Sequence, residues 1–192
     1  MLDQSEDKVK SHLYIDTRNI MKQLTLVPPS DPRVNTMLAP QNDLLLKEHG
    51  YENRQELSES LFEAMKRYGG IGLSANQCGL PFNVFVLGDH PQLEQGKKMT
   101  CFNPKITHTS KETILMKEGC LTFPFIFLSI QRPRDCVVTY EDEKGEKHEA
   151  HLKGMFARIF QHELDHMLGR QFTERVSKLK LDMEIKKGKK QW

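Results

Sequence analysis

Residues 161–166 read Gln-His-Glu-Leu-Asp-His. This H-E-x-x-H spacing constrains the chain more than any other feature, because it asks for a helix. Residues four apart on a helix share a face, so His162 and His166 can reach one metal ion. Glu163 lies one step round, where its carboxylate approaches a water beside the metal rather than the metal itself. The preceding Gly154-Met155-Phe156-Ala157-Arg158-Ile159-Phe160 is apolar enough to bury that helix. Buried histidines, a glutamate and an aspartate need partners, since an unpaired buried polar group costs free energy. The competing reading, a solvated charged face, fits this apolar setting poorly.

Two histidines do not complete a site. A protease pattern H-E-x-x-H-x-x-G-x-x-H would find its glycine in Gly169, but the third-histidine position holds Phe172. Glu174 and Glu184 remain available downstream, the first close in sequence to His166 and the second in a charged stretch. Upstream, Glu118-Gly119-Cys120-Leu121-Thr122 sets a cysteine between strand-like segments, and a thiolate suits late divalent ions. Taken alone, Cys120 also fits a buried structural thiol, and both readings stay open on these residues. A third motif, Gly70-Ile71-Gly72-Leu73-Ser74-Ala75-Asn76-Gln77, has glycines that permit close approach by a ligand. It also matches a dinucleotide loop, but that fingerprint follows a strand, and here a helix is expected before it.

The chain has 192 residues, enough for one domain. At 38% hydrophobic and 28% charged residues it can build a core but not a membrane protein, and no apolar run approaches a bilayer span. The net charge of +2 argues neither for nor against nucleic acid. The N-terminus, MLDQSEDKVK, lacks the apolar core of a secretory signal and carries acids that transit peptides avoid. The cytoplasm is therefore the expected compartment, and the four cysteines, with no CxxC pair, are expected as thiols.

Prolines 28, 29 and 32 predict an extended opening. A helix is expected over 54–68, with Leu57, Leu61, Ala64 and Tyr68 on one face and Gly69-Gly70 ending it. Strands are expected over 83–87 and 135–141, then a turn at 143–146 and a strand over 147–152. The H-E-x-x-H helix should span about 153–168, stopped by Gly169, with a third helix from 173 to near 187. Strands gathered between helices predict a single α+β domain. Its mixed or antiparallel sheets would surround the central metal-binding helix, with further helices towards both ends. Residues 1–24 are expected as an extension, 25–172 as the catalytic domain, and 173–192 as a C-terminal helix with a basic tail.

The three motifs, in this order, resemble those of the peptide deformylase family: G-φ-G-φ-A-A-x-Q, E-G-C-φ-S and Q-H-E-x-D-H, where φ is apolar. This chain supplies GIGLSANQ, EGCLT and QHELDH, and the likeness spans most of residues 24–172. Ser74 replaces the first alanine and Thr122 the serine. After Pro124 comes Phe125-Ile126-Phe127-Leu128, where many bacterial members carry polar residues and an arginine. That run is expected either to form an apolar lip for the peptide or to pack inside.

The resemblance implies hydrolysis of the N-formyl group from formyl-methionyl peptides, releasing formate. It implies that Cys120, His162 and His166 hold one divalent metal ion, natively Fe(II), replaceable by Zn, Ni or Co. Glu163 would be the proton-transfer group, and the Gln77 side chain and Leu121 backbone N–H the oxyanion donors. Methionine would be received between Ile71 and a helix face carrying Met155 and Ile159. The backbone at Gly72, with its neighbour Ile71, would bind the extended peptide, Gly70 would also belong to the substrate site, and Glu118 would pair with Arg132 near the pocket. On the residues themselves, Asp165 is open to orienting a group beside the histidines, which usually donate their other N–H to a carboxylate or carbonyl, or to a cap or salt bridge on the helix surface.

From Arg175 to Trp192, seven Lys or Arg face Asp182 and Glu184. Such a tail could contact ribosomal RNA or remain a solvated helix. Neither DNA nor a membrane is expected as a partner. The rival enzyme reading, an H-E-x-x-H metalloprotease, shares the helix but leaves Cys120 and Gln77 unexplained. A non-catalytic metal-binding protein would leave Glu163 without a purpose.

Overall fold

The computed structural model of the chain describes residues 23–94 and 96–188. Most of the expected N-terminal extension, and Lys189 and Lys190 of the basic tail, lie outside them.

After a short helix α1 (Leu44–Glu48), α2 runs Arg54–Arg67. The Asn53 side chain starts α2 by accepting from the Glu56 N–H at 2.9 Å. Leu57, Leu61 and Ala64 are fully buried, as the periodicity predicted. Tyr68 departs from that face: it is the C-cap and stays partly exposed. Gly69, at φ 69°, supplies the left-handed turn that stops the helix.

The strands are β1 (Gly72–Ser74), β2 (Val84–Gly88), β3 (Lys98–Thr109), β4 (Thr113–Cys120), β5 (Phe123–Pro133), β6 (Asp135–Glu141) and β7 (Lys147–Lys153). Five form one antiparallel sheet in the order β1-β2-β3-β6-β7, and β4 and β5 form a separate hairpin. Helix α3 (Gly154–Met167) carries the H-E-x-x-H motif. The sheet lies between α2 and α3. Successive residues of a strand face opposite sides, so Val84 and Val86 join the α2 core with Leu61 and Met65. Phe85 and Leu87 join the α3 core, and the Phe85 and Phe160 rings meet edge to face at 5.0 Å. Covering on both faces is why β2 is buried at every position.

The expected third helix is broken in two. Phe172–Arg175 forms a 3-10 turn, Val176 is extended at φ −128°, and α4 runs Lys178–Gly188. Ser177 restarts the helix by accepting from the Lys180 N–H at 3.3 Å. α4 packs on β5. Among the described residues, no helix is long and apolar enough to cross a membrane.

Candidate metal centre and its cavity

α3 presents His162 and His166 side by side, ring centroids 5.2 Å apart. The end of β4 brings Cys120 to them, its Sγ 3.3 Å from His166 Nε2. One ligand atom from each of the three residues lies within 4.8 Å of the others. One sulfur and two imidazole nitrogens suit a divalent ion with a position left open for chemistry. The electrostatics agree with that donor set. Burial raises the Cys120 pKa, but His166 and His162 outweigh it and hold the group well below the usual thiol range. Burial lowers the His162 pKa, but Cys120 and Glu118 raise it to about 10. An anionic surrounding that binds a proton this firmly also favours a divalent cation in the proton's place.

A buried ionic network stands behind the ligands. His162 Nδ1 lies 3.0 Å from Glu118 Oε2, which turns Nε2 towards Cys120. Arg132 grips the same carboxylate with two bonds, at 2.7 and 2.9 Å. Arg158 adds a third at 2.7 Å and also donates to the Ile130 carbonyl at 3.0 Å. Arg132 reaches on to Asp165 at 2.7 Å, and Arg175 binds both oxygens of Asp165. The expected pairing of Glu118 with Arg132 is therefore present. Of the readings open for Asp165, the surface one does not fit: the residue is 5% exposed and joins the network from inside. Arg158 escaped the sequence reading, and Arg175, counted there with the basic tail, pairs instead with Asp165. The one available signal for Arg158 was an arginine inside an apolar helical run.

Gln77 sits in a 3-10 turn, Ala75–Cys78, directly after β1. Its Nε2 donates to Thr122 Oγ1 at 3.0 Å and lies 3.4 Å from Cys120 Sγ. Beside it, Asn76 Nδ2 donates to the His166 carbonyl at 2.9 Å, tying this turn to the end of α3. Gly72 is required by contact: a Cβ there would lie 2.5 Å from Glu163 Oε1 and 2.7 Å from Ile159 Cγ2. At Gly70 a Cβ would lie 2.7 Å from Leu121 Cδ1. Both glycines let the chain pass close beside the site.

These groups line one cavity of about 700 Å³, which takes in Gly70, Ile71, Gly72, Gln77, Glu118, Cys120, Leu121, Met155, Ile159, His162 and Glu163. Ile159 is buried in its wall, and Met155, 38% exposed, stands at the rim. Glu163 is buried, and among the described residues its Oε2 has no hydrogen-bond partner. Burial raises its pKa, more than His162 and His166 lower it, to about 7. That suits a group that must both take and return a proton near neutrality. The run after Pro124 divides between the two expectations. Phe125 and Phe127, 49% and 51% exposed, face the cavity, while Leu128 is buried against Phe172. Phe125 adopts φ 68°, an unusual backbone for a bulky residue.

A thiolate–imidazole donor set beside a buried glutamate, in an apolar cleft, defines a metal-dependent hydrolase. The family model for polypeptide deformylase matches residues 38–182. A peptide deformylase of Bartonella quintana (strain Toulouse) is 34% identical over 170 residues, covering 88% of this chain and 92% of that one. One of Wolbachia pipientis subsp. Culex pipiens is 33% identical, covering 88% and 96%. The crystal structure of a peptide deformylase from Ehrlichia chaffeensis with actinonin superposes with a TM-score of 0.75 at 32% identity, covering 88% and 96%. The chain belongs to the polypeptide deformylase family, enzymes that remove the N-formyl group from nascent peptides.

Proposed function

We propose that Cys120, His162 and His166 hold the catalytic metal and that Glu163, Gln77 and the Leu121 backbone N–H carry out deformylation around it. The observation that carries this reading is convergence. A thiolate, two imidazoles, a glutamate poised near neutrality and an amide donor meet at one apolar cavity. When bound, the ion supplies a Lewis acid and lowers the pKa of water. Ile71, Ile159 and Met155 receive the methionine side chain, and the backbone at Gly70 and Gly72 holds the peptide extended. Gln77 and Leu121 donate to the developing oxyanion. Glu163 accepts a proton from the attacking water and passes it to the departing amine. The C–N bond of the formamide breaks, giving formate and a free amino terminus. Glu118, held by Arg132 and Arg158, acts through His162, fixing the charge and orientation of that ligand.

Fe(II) is the proposed native ion, with Ni, Co and Zn as replacements that a thiolate and two imidazoles also accept. Anaerobic purification should give iron and rapid formate release from formyl-Met-Ala-Ser. Air should lower that activity, and exchange to Ni or Co should preserve it. Full, air-stable activity with zinc alone would contradict iron. Cleavage of the unformylated peptide without formate would overturn the assigned roles together.

We further propose that residues 25–172 form the catalytic unit, with 173–192 attached through the Arg175–Asp165 pair. Lys178, Lys186 and Lys187 are exposed along α4 and would meet ribosomal RNA. Removing the residues after Glu184 should weaken ribosome binding at low salt, and unchanged binding would dismiss that contact. The unbridged cysteines fit the cytoplasm as the compartment.

A further inference from the structure

The two positions at which the motifs depart from the family pattern lie 48 residues apart, at 74 and 122. They converge on one side chain. Ser74 contacts the oxygen end of the Gln77 amide: its Oγ lies 2.9 Å from Oε1, and its backbone N–H donates to the same atom at 3.0 Å. Thr122 contacts the nitrogen end, where its Oγ1 accepts from Nε2 at 3.0 Å. We propose that Ser74 and Thr122 are positioning residues that lock the Gln77 amide with its N–H groups towards the metal centre. The inference rests on reading Gln77 as an oxyanion donor.

The argument is one of orientation. A glutamine amide turned by half a rotation keeps its shape but exchanges its donor and acceptor ends. Turned the wrong way, Oε1 would face the Cys120 thiolate and Nε2 would face the Ser74 N–H, while the Thr122 hydroxyl would have to turn and donate. Ser74, Gln77 and Thr122 are all buried, so solvent is poorly placed to compensate for those clashes. With alanine at 74, Oε1 would keep only the backbone donor. The serine hydroxyl adds a second, sharing its one proton with Asn76 Oδ1 at 2.8 Å. Asn76 in turn holds the His166 carbonyl, so the same hydroxyl joins Gln77 to the end of the metal-binding helix. At 122, a serine would keep the acceptor but gain rotamers, whereas β-branched threonine has few. Both departures therefore narrow what the amide can do.

The test restores the family residues in the metal-loaded enzyme. Ser74→Ala should lower kcat by roughly 3- to 10-fold, the worth of one ordinary hydrogen bond, and Thr122→Ser, which keeps the acceptor and loses only its restricted rotamer, by a smaller factor. KM and metal content should stay close to the parent values. Made in a Gln77→Leu background, the same substitutions should leave kcat unchanged, because the group they orient is gone. If Gln77→Leu alone leaves kcat intact, the donor reading falls and this inference falls with it. Suppose instead that Gln77→Leu costs about 100-fold. If the restorations are then silent, or cost as much in the Gln77→Leu background as in the parent, only the inference falls. Should Ser74→Ala fail to fold, Thr122→Ser carries the same comparison.

Discussion

Helices α2 and α3 are both 14 residues long, and they are held in place by different means. α2 follows local rules. Asn53 caps it, Leu57, Leu61, Ala64 and Met65 are buried, and Gln55, Glu59, Glu63 and Lys66 face solvent. α3 has no side-chain cap and starts from Gly154 at φ 55°. From Phe156 to Met167 it is buried except at Leu164, which is partly so, and six of those buried residues are polar: Arg158, Gln161, His162, Glu163, Asp165 and His166. Their partners come from β4, β5 and the turn after β1. The chemistry thus sits on the helix that depends most on tertiary contacts, because a buried, pre-oriented set of charges needs a surrounding shell to hold it.

The sharpest break in the comparison is at Glu163, which no interaction on α2 resembles. Glu163→Gln should reduce turnover by roughly 10²- to 10⁴-fold, the range for general acid–base catalysis. Metal content should be retained, and the thermal midpoint should hold or rise, since a buried carboxylate with an unpartnered oxygen becomes neutral. Full turnover would assign the proton transfer to another group.

Next come the ion pairs. Arg132→Met should cost about 3–5 kcal/mol, because Glu118 and Asp165 lose a shared cation inside the protein. Lys66→Met, at the end of α2, breaks a solvent-facing pair with Asp89 and should cost at most about 1 kcal/mol. Urea unfolding of both variants measures the difference, and equal costs would erase the contrast between the helices.

The same network should show in acid. Burial opposes ionisation of Glu118 and Asp165, but bonds from His162 and Arg132 to the first, and from Arg175 and Arg132 to the second, outweigh it. Both carboxyls sit below their ordinary values. Their contribution is therefore complete above the unfolded pKa values of about 4 and is lost as pH falls through the folded ones. Unfolding midpoints measured between pH 7 and pH 3 should drop in the parent and drop less in Arg132→Met.

What could be read from the sequence follows the same division. α2 was legible because its periodicity and terminating glycines are local. α3 was legible only because H-E-x-x-H is a chemical pattern on an apolar run. Cys120 could not be chosen on its own residues, since a thiol in a strand looks alike whether it binds metal or packs. Proximity to His166, created by the β4–β5 hairpin, is what supports the ligand reading. The long strands β3, β4 and β5 gave weak signals because many of their side chains are exposed on both faces, which blurs the alternation. Arg175 was hidden by the break at Val176, where a helix reading would have sent its side chain elsewhere.

The smallest effects separate the helix starts. Asn53→Ala removes the bond to the Glu56 N–H and should cost about 1 kcal/mol. The reverse change is available on α3. Its N-cap, Lys153, already has the extended backbone of a capping residue, at φ −132° and ψ 158°, but no side-chain cap bond, and it is exposed. Lys153→Asn would offer a side-chain acceptor to the N–H groups of the first turn, and a gain of up to about 1 kcal/mol is expected. If that gain appears with kcat unchanged, α3 tolerates a better local start without disturbing its buried face. If stability does not change, tertiary contacts already fix the first turn, and the helix owes nothing to its own N-terminal sequence.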